Sequence, residues 1–364
     1  MDICQNSITH LLPKYISFSR IWLDKLKESG YNLAVKVSEL GEFGLIELLA
    51  KIAGRPGGDV LVGIGDDAAC WHSDASIQLA TSDALIQDVH FTLNTTTWRE
   101  LGWKALAANL SDIAAMGGLP QYALVSLGLP GDTEVESITE LYQGMVELTH
   151  LFDVAIVGGD VVAAPIVVLS LAVVGTAQTG HIMTRSAAAP GERIVVTGFL
   201  GASGAGLVML QSGLEFDKET ATSLREAHLK PNPRVVEGQT LARHGVRAAI
   251  DLSDGLVSDL VQLCKASGVG ARLFVDQIPV HPLVYHSFGD DATNLALSGG
   301  EDYELLFTAS TEVISQVRES MPCPITVIGE IVEEEPGRMR LFDKHGNEAT
   351  LEKKGWEHFA PRKR

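Results

Sequence analysis

Acidic residues in this chain gather where strands end. Asp66, Asp67, Asp83, Asp160, Asp251, Asp254, Glu301 and Asp302 each follow or adjoin a short apolar run, most of them beside glycine or a small hydroxyl residue. Asp112 stands apart, on a helical stretch one turn from Asn109. Acids that only solubilise a surface scatter over helix exteriors among lysines. Strand-end turns are where layered folds collect ligand-binding groups. Oxygen donors without Cys or His at ligand spacing suit a hard cation, magnesium above all where phosphates complete the shell. Carboxylates crowded together repel one another and shift their pKa values upward unless cations neutralise them. An acidic site therefore holds a nucleotide triphosphate only with metal ions between the two sets of anions. A single Asp-Gly turn is more commonly a helix cap or Asx-turn. Repetition along one chain is what argues for a site.

The usual nucleotide and nucleophile signatures are missing. No GxxxxGK[ST] loop, HRD/DFG pair, GxSxG elbow or Cys–His pattern occurs, so neither a lysine-bearing phosphate loop nor covalent catalysis is indicated. Gly198 to Gly206 has the spacing of a glycine-rich phosphate turn. Alone it reads better as a tight strand–helix turn.

These residues need elements to carry them. Apolar periodicity predicts helices over 42–53, 98–116 and 134–150, and strands over 60–64, 77–80, 122–127, 154–157 and 166–175. The alanine-rich 98–116 helix, small on one face, can lie close to a sheet. A polar stretch and the turn Ala189-Pro190-Gly191 mark a boundary within 176–190. Beyond it come strands near 193–197, 248–250, 272–275, 303–308 and 325–328, with helices from 203, over 221–228 and 235–244, and up to 266. The irregular alternation favours an α+β, two-domain layered subunit. It divides into a 1–37 extension, an N-terminal domain over 38–180 and a C-terminal α/β domain over 181–364.

Composition narrows the partners. With 28 basic against 46 acidic residues among 364, a net charge of −18 argues against nucleic acid or a membrane surface, both polyanionic. The apolar runs, such as Ile166–Val174, fall short of the roughly 18 residues a spanning helix needs. Lys14 and Arg20 interrupt the first apolar stretches, which is not signal-peptide architecture. Cys4, Cys70, Cys264 and Cys323 lie far apart with no CxxC pair, which fits a reduced, cytoplasmic compartment.

The ordered motifs also match a known family. GEFGLI (41–46), GIGDDAA (63–69), TSD (81–83), VHF (89–91), WKALAANLSDIAAMG (103–117) and GGD (158–160) follow one another. RSAAAPG (185–191), PNPR (231–234), IDLSDGL (250–256), SGGEDYEL (298–305) and GWEHF (355–359) complete the series. From about residue 40 onward the chain resembles the bacterial thiamine-monophosphate kinase family, within the aminoimidazole ribonucleotide synthetase-like superfamily.

The resemblance implies transfer of the ATP γ-phosphate to thiamine phosphate, giving thiamine diphosphate and ADP by direct in-line transfer. It implies the superfamily's α+β fold and a homodimer formed through the N-terminal sheets. Several magnesium ions and ATP as co-substrate are implied, and there is room for a potassium ion. By motif, Asp67, Thr81, Ser82, Asp83, Asp112, Asp160, Asp251 and Asp254 become the magnesium set. Tyr142, Gly159, Asp160, Arg185 and Ser253 become nucleotide contacts, and His90, Glu301 and Trp356 become thiamine phosphate contacts. Arg185 can also fork onto phosphate oxygens as transition-state charge develops. Read without the family, Tyr142 is a packing residue and His90 a satisfied core histidine. Trp356 is either a core-closing aromatic or a flat face for a cationic ring. The chain departs from the family where Asp88 replaces a common glycine and where Val161 to Ala164 replace two threonines, an arginine and a glycine. Two other classes stay open: a sister ATP-dependent enzyme of the superfamily, and a non-catalytic nucleotide or thiamine-phosphate binder.

Overall fold

The structure, a computed structural model, describes residues 35–40, 42–54, 60–62, 70–71, 77–178 and 180–349. Asp66, Asp67 and Trp356 lie outside the described residues, as do residues 63–64 of the first expected strand.

The N-terminal half opens with α1 (Val37–Leu40) and α2 (Glu42–Ala53), followed by a small pair, β1 (Val60–Val62) and β2 (Cys70–Trp71). Then come β3 (Ile77–Ile86), α3 (Trp98–Ala115), β4 (Leu119–Leu129), α4 (Val135–Phe152), β5 (Ala155–Ala163) and β6 (Val168–Ala177). The sheet runs in the order β3-β6-β4-β5. Residues 35–37, which the sequence reading assigns to the extension, pair with this half: Val37 N–H donates to Thr133 O at 2.7 Å and Val135 N–H to Val35 O at 2.7 Å.

Helix α3 is the hub. Thr97 caps it in a reciprocal pair with Glu100, a sequence-encoded start that satisfies two orphan donors. Its small residues let neighbours approach closely: a Cβ on Gly102 would sit 1.8 Å from Leu141 O, and one on Gly144 1.9 Å from Arg99 O. Helix α3 thus presses on α4 on one side, on β3, β4 and β6 beneath, and on the C-terminal half across the remaining face. Leu106, Leu110 and Ile113 fill the N-terminal core together with Leu127, Leu141 and Val173.

The C-terminal half contributes β7 (Arg193–Thr197), α5 (Ala202–Ser212), α6 (Lys218–Leu229), α7 (Val235–Arg243), β8 (Ala248–Asp251), α8 (Leu256–Ser267) and β9 (Gly270–Phe274). It continues with α9 (Pro282–Phe288), α10 (Ala292–Ser298), β10 (Leu305–Ala309), α11 (Thr311–Ser320), β11 (Ile325–Val332), β12 (Met339–Phe342) and β13 (Glu348–Ala349). Its seven-stranded sheet has the order β13-β12-β9-β11-β7-β10-β8 and is antiparallel except for the β12–β9 pair. The expected α+β architecture is the observed one. Strand β10 begins at Leu305 rather than Tyr303, because Tyr303 is left-handed at φ 49°, a conformation no strand accommodates.

Candidate active site

A cavity of about 680 Å³ opens between β3, α3 and the start of the C-terminal half, lined by Thr81, Asp83, Asp112, Arg185, Ser186 and Ile250 among others. Side chains alternate along β3, so Thr81 and Asp83 face α3 while Ser82 points to the opposite face. On α3, Asn109 and Asp112 are three residues apart and share the face above β3. Asn109 Oδ1 accepts the Asp83 N–H at 3.2 Å, and Thr81 Oγ1 donates to Asp112 Oδ2 at 2.6 Å. Ser111, one position round the helix, reaches the other half and donates to Asp251 Oδ2 at 2.8 Å. One helix therefore holds carboxylates from both halves, with Asp83 and Asp112 lining the cavity and Asp251 bonded to Ser111.

Their electrostatics follow from that crowding. Burial, then the Asp112 charge and a hydrogen bond to Asp112, push the Asp83 carboxyl up to about 6. Burial and Asp112 push Asp251 up to about 7, against the opposing pull of the Ser111 hydroxyl and Arg185. Asp259 on α8 is 3% exposed and accepts the Asp254 and Gly255 N–H groups, each at 3.1 Å. Burial, then Asp251 and Asp254, push it up to about 8. Packed acids that resist ionising form a donor set short of positive charge, and oxygen ligands of this kind fit a hard divalent cation. Among the described residues, however, no group of three or more His, Cys, Asp or Glu side chains has the arrangement of a metal site. Of the expected set, Asp67 is outside the described residues, and Ser82 and Asp160 lie on the far face of the sheet.

Asp160 is also at the opposite edge of the sheet from Asp83. Cross-strand register aligns Asp83 with Leu171, Val125 and Gly159 in turn. Three strand spacings of about 4.8 Å therefore put Gly159 and Asp160 roughly 14 Å from Asp83 within one chain. Gly159 has its own reason to be glycine: a Cβ there would sit 1.8 Å from Val125 O. Tyr142 is buried at 4% exposure in the N-terminal apolar core, and burial raises its phenol. The structure does not bring its ring to the cavity lining.

A second group lies beside the first. His90 Nδ1 accepts the Ile86 N–H at 3.0 Å, so the neutral ring carries its proton on Nε2 as a donor. Asp88, in the same turn, has φ 62°. A left-handed position explains the family's glycine there, and Asp is among the few residues that tolerate it. Glu301 (φ 56°) and Tyr303 (φ 49°) are left-handed too. Backbone bonds from Glu301 N–H to Ser253 O (2.8 Å) and from Tyr303 N–H to Leu252 O (2.9 Å) pin the segment to the Asp251–Asp254 turn. Glu301 Oε2 lies 2.8 Å from Lys104 Nζ and 3.5 Å from His228 Nδ1. Burial would raise the Glu301 carboxyl, but Lys104 and His228, with a contribution from His90, hold it below its usual range.

Asp302, an acid at a strand-end turn, is a cap. Its carboxylate accepts the Gly201 N–H at 2.8 Å and the Ser203 N–H at 3.2 Å. It fills the start of α5, so the Gly198–Gly206 turn is structural, as the sequence reading favoured. Lys104, His228, Asp259 and Tyr303 were not singled out from sequence. The usable signal was Lys104, a lone charge in the apolar run Trp103 to Ala108.

Comparison with known proteins agrees along the chain. The family model described as AIR synthase related protein, N-terminal domain, matches residues 65–177, and the corresponding C-terminal domain model matches residues 189–341. Thiamine-monophosphate kinase of Escherichia coli (strain K12) is 38% identical over 326 residues, covering 88% of this chain and 98% of that protein. The protein of that name from Bacillus subtilis (strain 168) is 36% identical over 311 residues, covering 82% and 93%. A crystal structure of thiamine-monophosphate kinase from Stenotrophomonas maltophilia K279a superposes with a TM-score of 0.74 at 34% identity, covering 84% of this chain and 96% of that one. A structure described as AaThiL complexed with AMPPCP and TMP gives 0.70 at 32% identity, covering 90% and 100%.

Proposed function

The chain belongs to the thiamine-monophosphate kinase family, and from that premise we infer that it transfers the γ-phosphate of ATP to thiamine phosphate, giving thiamine diphosphate and ADP. The observation that carries this reading at the level of the site is that Asp83, Asp112 and Arg185 line one cavity, with the buried Asp251 carboxylate held just behind it by Ser111 and within electrostatic reach of all three.

Asp83, Asp112, Asp251 and Asp254, with Asp67 and Asp160, would hold magnesium ions, and Thr81 and Ser82 would complete the set. Bound magnesium supplies charge neutralisation between the acidic cavity and the polyphosphate. Arg185, exposed at the cavity mouth, offers a two-pronged donor to phosphoryl oxygens. Ser253, Gly159 and Tyr142 are the remaining nucleotide candidates. His90 presents its Nε2–H, and Glu301 a carboxylate held anionic, to thiamine phosphate; Trp356 completes that set. The acceptor is already a phosphate monoester, so no strong base is needed. The protein's work is alignment and charge cancellation, and transfer is direct.

The position of Asp160 supports a homodimer. Its edge strand β5 and the opposite edge strand β3 are about 14 Å apart in one chain. A second copy that sets its β5 beside β3 would bring an Asp160 to the edge that carries Ser82 and Asp83, on the face that Ser82 shares. The outer face of the same sheet exposes Leu124 (37%) and Val162 (52%), apolar surface that a partner sheet would cover. No described helix is long and apolar enough to cross a membrane, and unpaired Cys264 and Cys323 support a reducing, cytoplasmic setting. The test is incubation with ATP, Mg²⁺ and thiamine phosphate, with the products weighed by mass spectrometry. Thiamine diphosphate and ADP in equal amounts are expected, and ADP release without thiamine diphosphate would overturn the reading.

A further inference from the structure

Lys104 is a full charge sealed inside the protein. It is 2% exposed, on the face of α3 turned toward the C-terminal half, and the proposed site makes no use of it. Its ammonium reaches two acceptors there: Glu301 Oε2 at 2.8 Å and His228 Nε2 at 3.3 Å. Burial and the neighbouring Lys104 charge lower the His228 ring to about 4, so it is neutral near pH 7. With Nε2 accepting from Lys104, its proton sits on Nδ1, 3.1 Å from Ser203 Oγ and 3.5 Å from Glu301 Oε2. Ser203 belongs to α5, whose start is itself capped by Asp302, the residue after Glu301. The chain of contacts runs from α3 through α6 and α5 and back to the Glu301 turn.

That closure decides what Lys104 can do. A phosphate-binding lysine must present its ammonium to solvent or ligand, whereas this one is enclosed and its charge is committed to a carboxylate. A buried ion pair is weak evidence for stability as such, because desolvating both charges offsets their attraction. Here it fixes the direction of a side chain whose backbone is in a costly left-handed conformation, at φ 56°. It also links that side chain to the helix carrying Asn109, Ser111 and Asp112.

We propose that Lys104, steadied by His228 and Ser203, is the positioning residue that holds the Glu301 carboxylate charged and aimed at thiamine phosphate across the two halves of the subunit. This rests on the assignment of Glu301 as a thiamine phosphate contact.

The experiment is steady-state kinetics on the full chain with Lys104→Met, Glu301→Gln, the double variant and His228→Ala, each with a thermal melt. Loss of a charged hydrogen bond predicts a 10- to 100-fold rise in KM for thiamine phosphate in Lys104→Met. Its kcat and KM for ATP should stay within about threefold. Because Lys104 acts through Glu301, its substitution should add nothing once Glu301→Gln is present. His228→Ala should raise the same KM about threefold by the same route, and it carries the test if Lys104→Met does not fold. An unchanged thiamine phosphate KM in Lys104→Met or His228→Ala, with a raised one in Glu301→Gln, overturns the proposal. So does a Lys104→Met effect that is undiminished in the double variant or that strikes the ATP KM equally. If Glu301→Gln itself leaves that KM unchanged, the substrate assignment of Glu301 is what fails.

Discussion

Asp259 carries a measurable cost in the metal-free protein. Its carboxyl titrates near 3.8 in an unfolded chain and near 8 in the folded one, because of burial and the charges of Asp251 and Asp254. Between those values the unfolded chain has already released the proton while the folded chain still holds it. Stability therefore falls as pH rises through this window and levels off above about 8. A shift of about four units corresponds to an upper limit of roughly 6 kcal/mol. Relaxation and water penetration around the buried carboxylate bring the expected loss to about 3 kcal/mol. Asp259→Asn removes the titration and keeps the contacts. Both backbone N–H groups bond to one oxygen, Oδ2, which an amide oxygen replaces, and the new NH₂ can donate toward the flanking acids. In EDTA the variant should melt about 6–12 °C above the parent at pH 8, taking about 2–4 °C per kcal/mol. At pH 4.5, about 0.7 units into the window, the gap should narrow to about 2–4 °C, and calorimetry across pH 4.5–9 reads both slopes. A variant that melts lower at pH 8, or whose melting temperature follows the parent's pH slope, would refute the argument.

Three further outcomes are expected. Asp83→Asn or Asp112→Asn should lower kcat by more than about 10³-fold while the metal-free melting temperature holds or rises, since each removes a repelled charge; activity retained at saturating Mg²⁺ contradicts the ligand roles. Asp88→Gly relieves a left-handed non-glycine residue (φ 62°) and should stabilise by about 1 kcal/mol, read as a rise of a few degrees in melting temperature. If Asp160 serves the partner's site, mixing inactive Asp83→Asn and Asp160→Asn chains under exchange should restore about a quarter of parental activity, because half of randomly paired dimers are mixed and each carries one intact site. No recovery, with mixed dimers present, would place both residues in a single-chain site.

Much of the architecture was legible because its signals are local. The helix over 42–53 with its stop at Gly54, the start of α3 at Trp98 and a long strand expected over 166–175 and found at 168–177 follow from periodicity and turn chemistry. Short elements were not legible. Helices α9 and α10 have seven residues each, too few for a 3.6-residue period to stand out. In the site, the bias of acids toward strand ends pointed to Asp83 and Asp251, which the fold does bring near Asp112, but only Asp251 ends its strand: β3 runs on to Ile86 and β5 to Ala163, so Asp83 and Asp160 lie inside strands. It could not separate Asp302, which caps a helix, from Asp251, which Ser111 holds beside the cavity acids, because both adjoin a short apolar run. It could not tell that Ser82 and Asp83 part company by strand alternation, since that depends on which face α3 covers. Lys104 and His228 are 124 residues apart, and no spacing rule links residues that meet only through tertiary packing.

Those distant pairings converge on one element. Along α3, Lys104 and Ser111 are seven residues apart and face the C-terminal half, where they hold Glu301 and Asp251. Asn109 and Asp112 face β3 and hold the Asp83 backbone and Thr81. Because 3.6 residues make a turn, seven residues return to nearly the same face, so one rigid rod presents two registered rows of polar groups. A loop could carry the same side chains but not at fixed mutual distance, and phosphoryl transfer catalysed by alignment depends on that distance. Covering both rows requires burying the rod on nearly every side, which explains why most of its remaining positions from Leu101 onward are alanine, leucine and glycine, with Gly102 packed to backbone contact. The alanine-rich composition of α3 and the dispersal of the acids along the chain thus have one cause: the acids sit on separate elements, and the helix they gather around must be thin enough to lie between them.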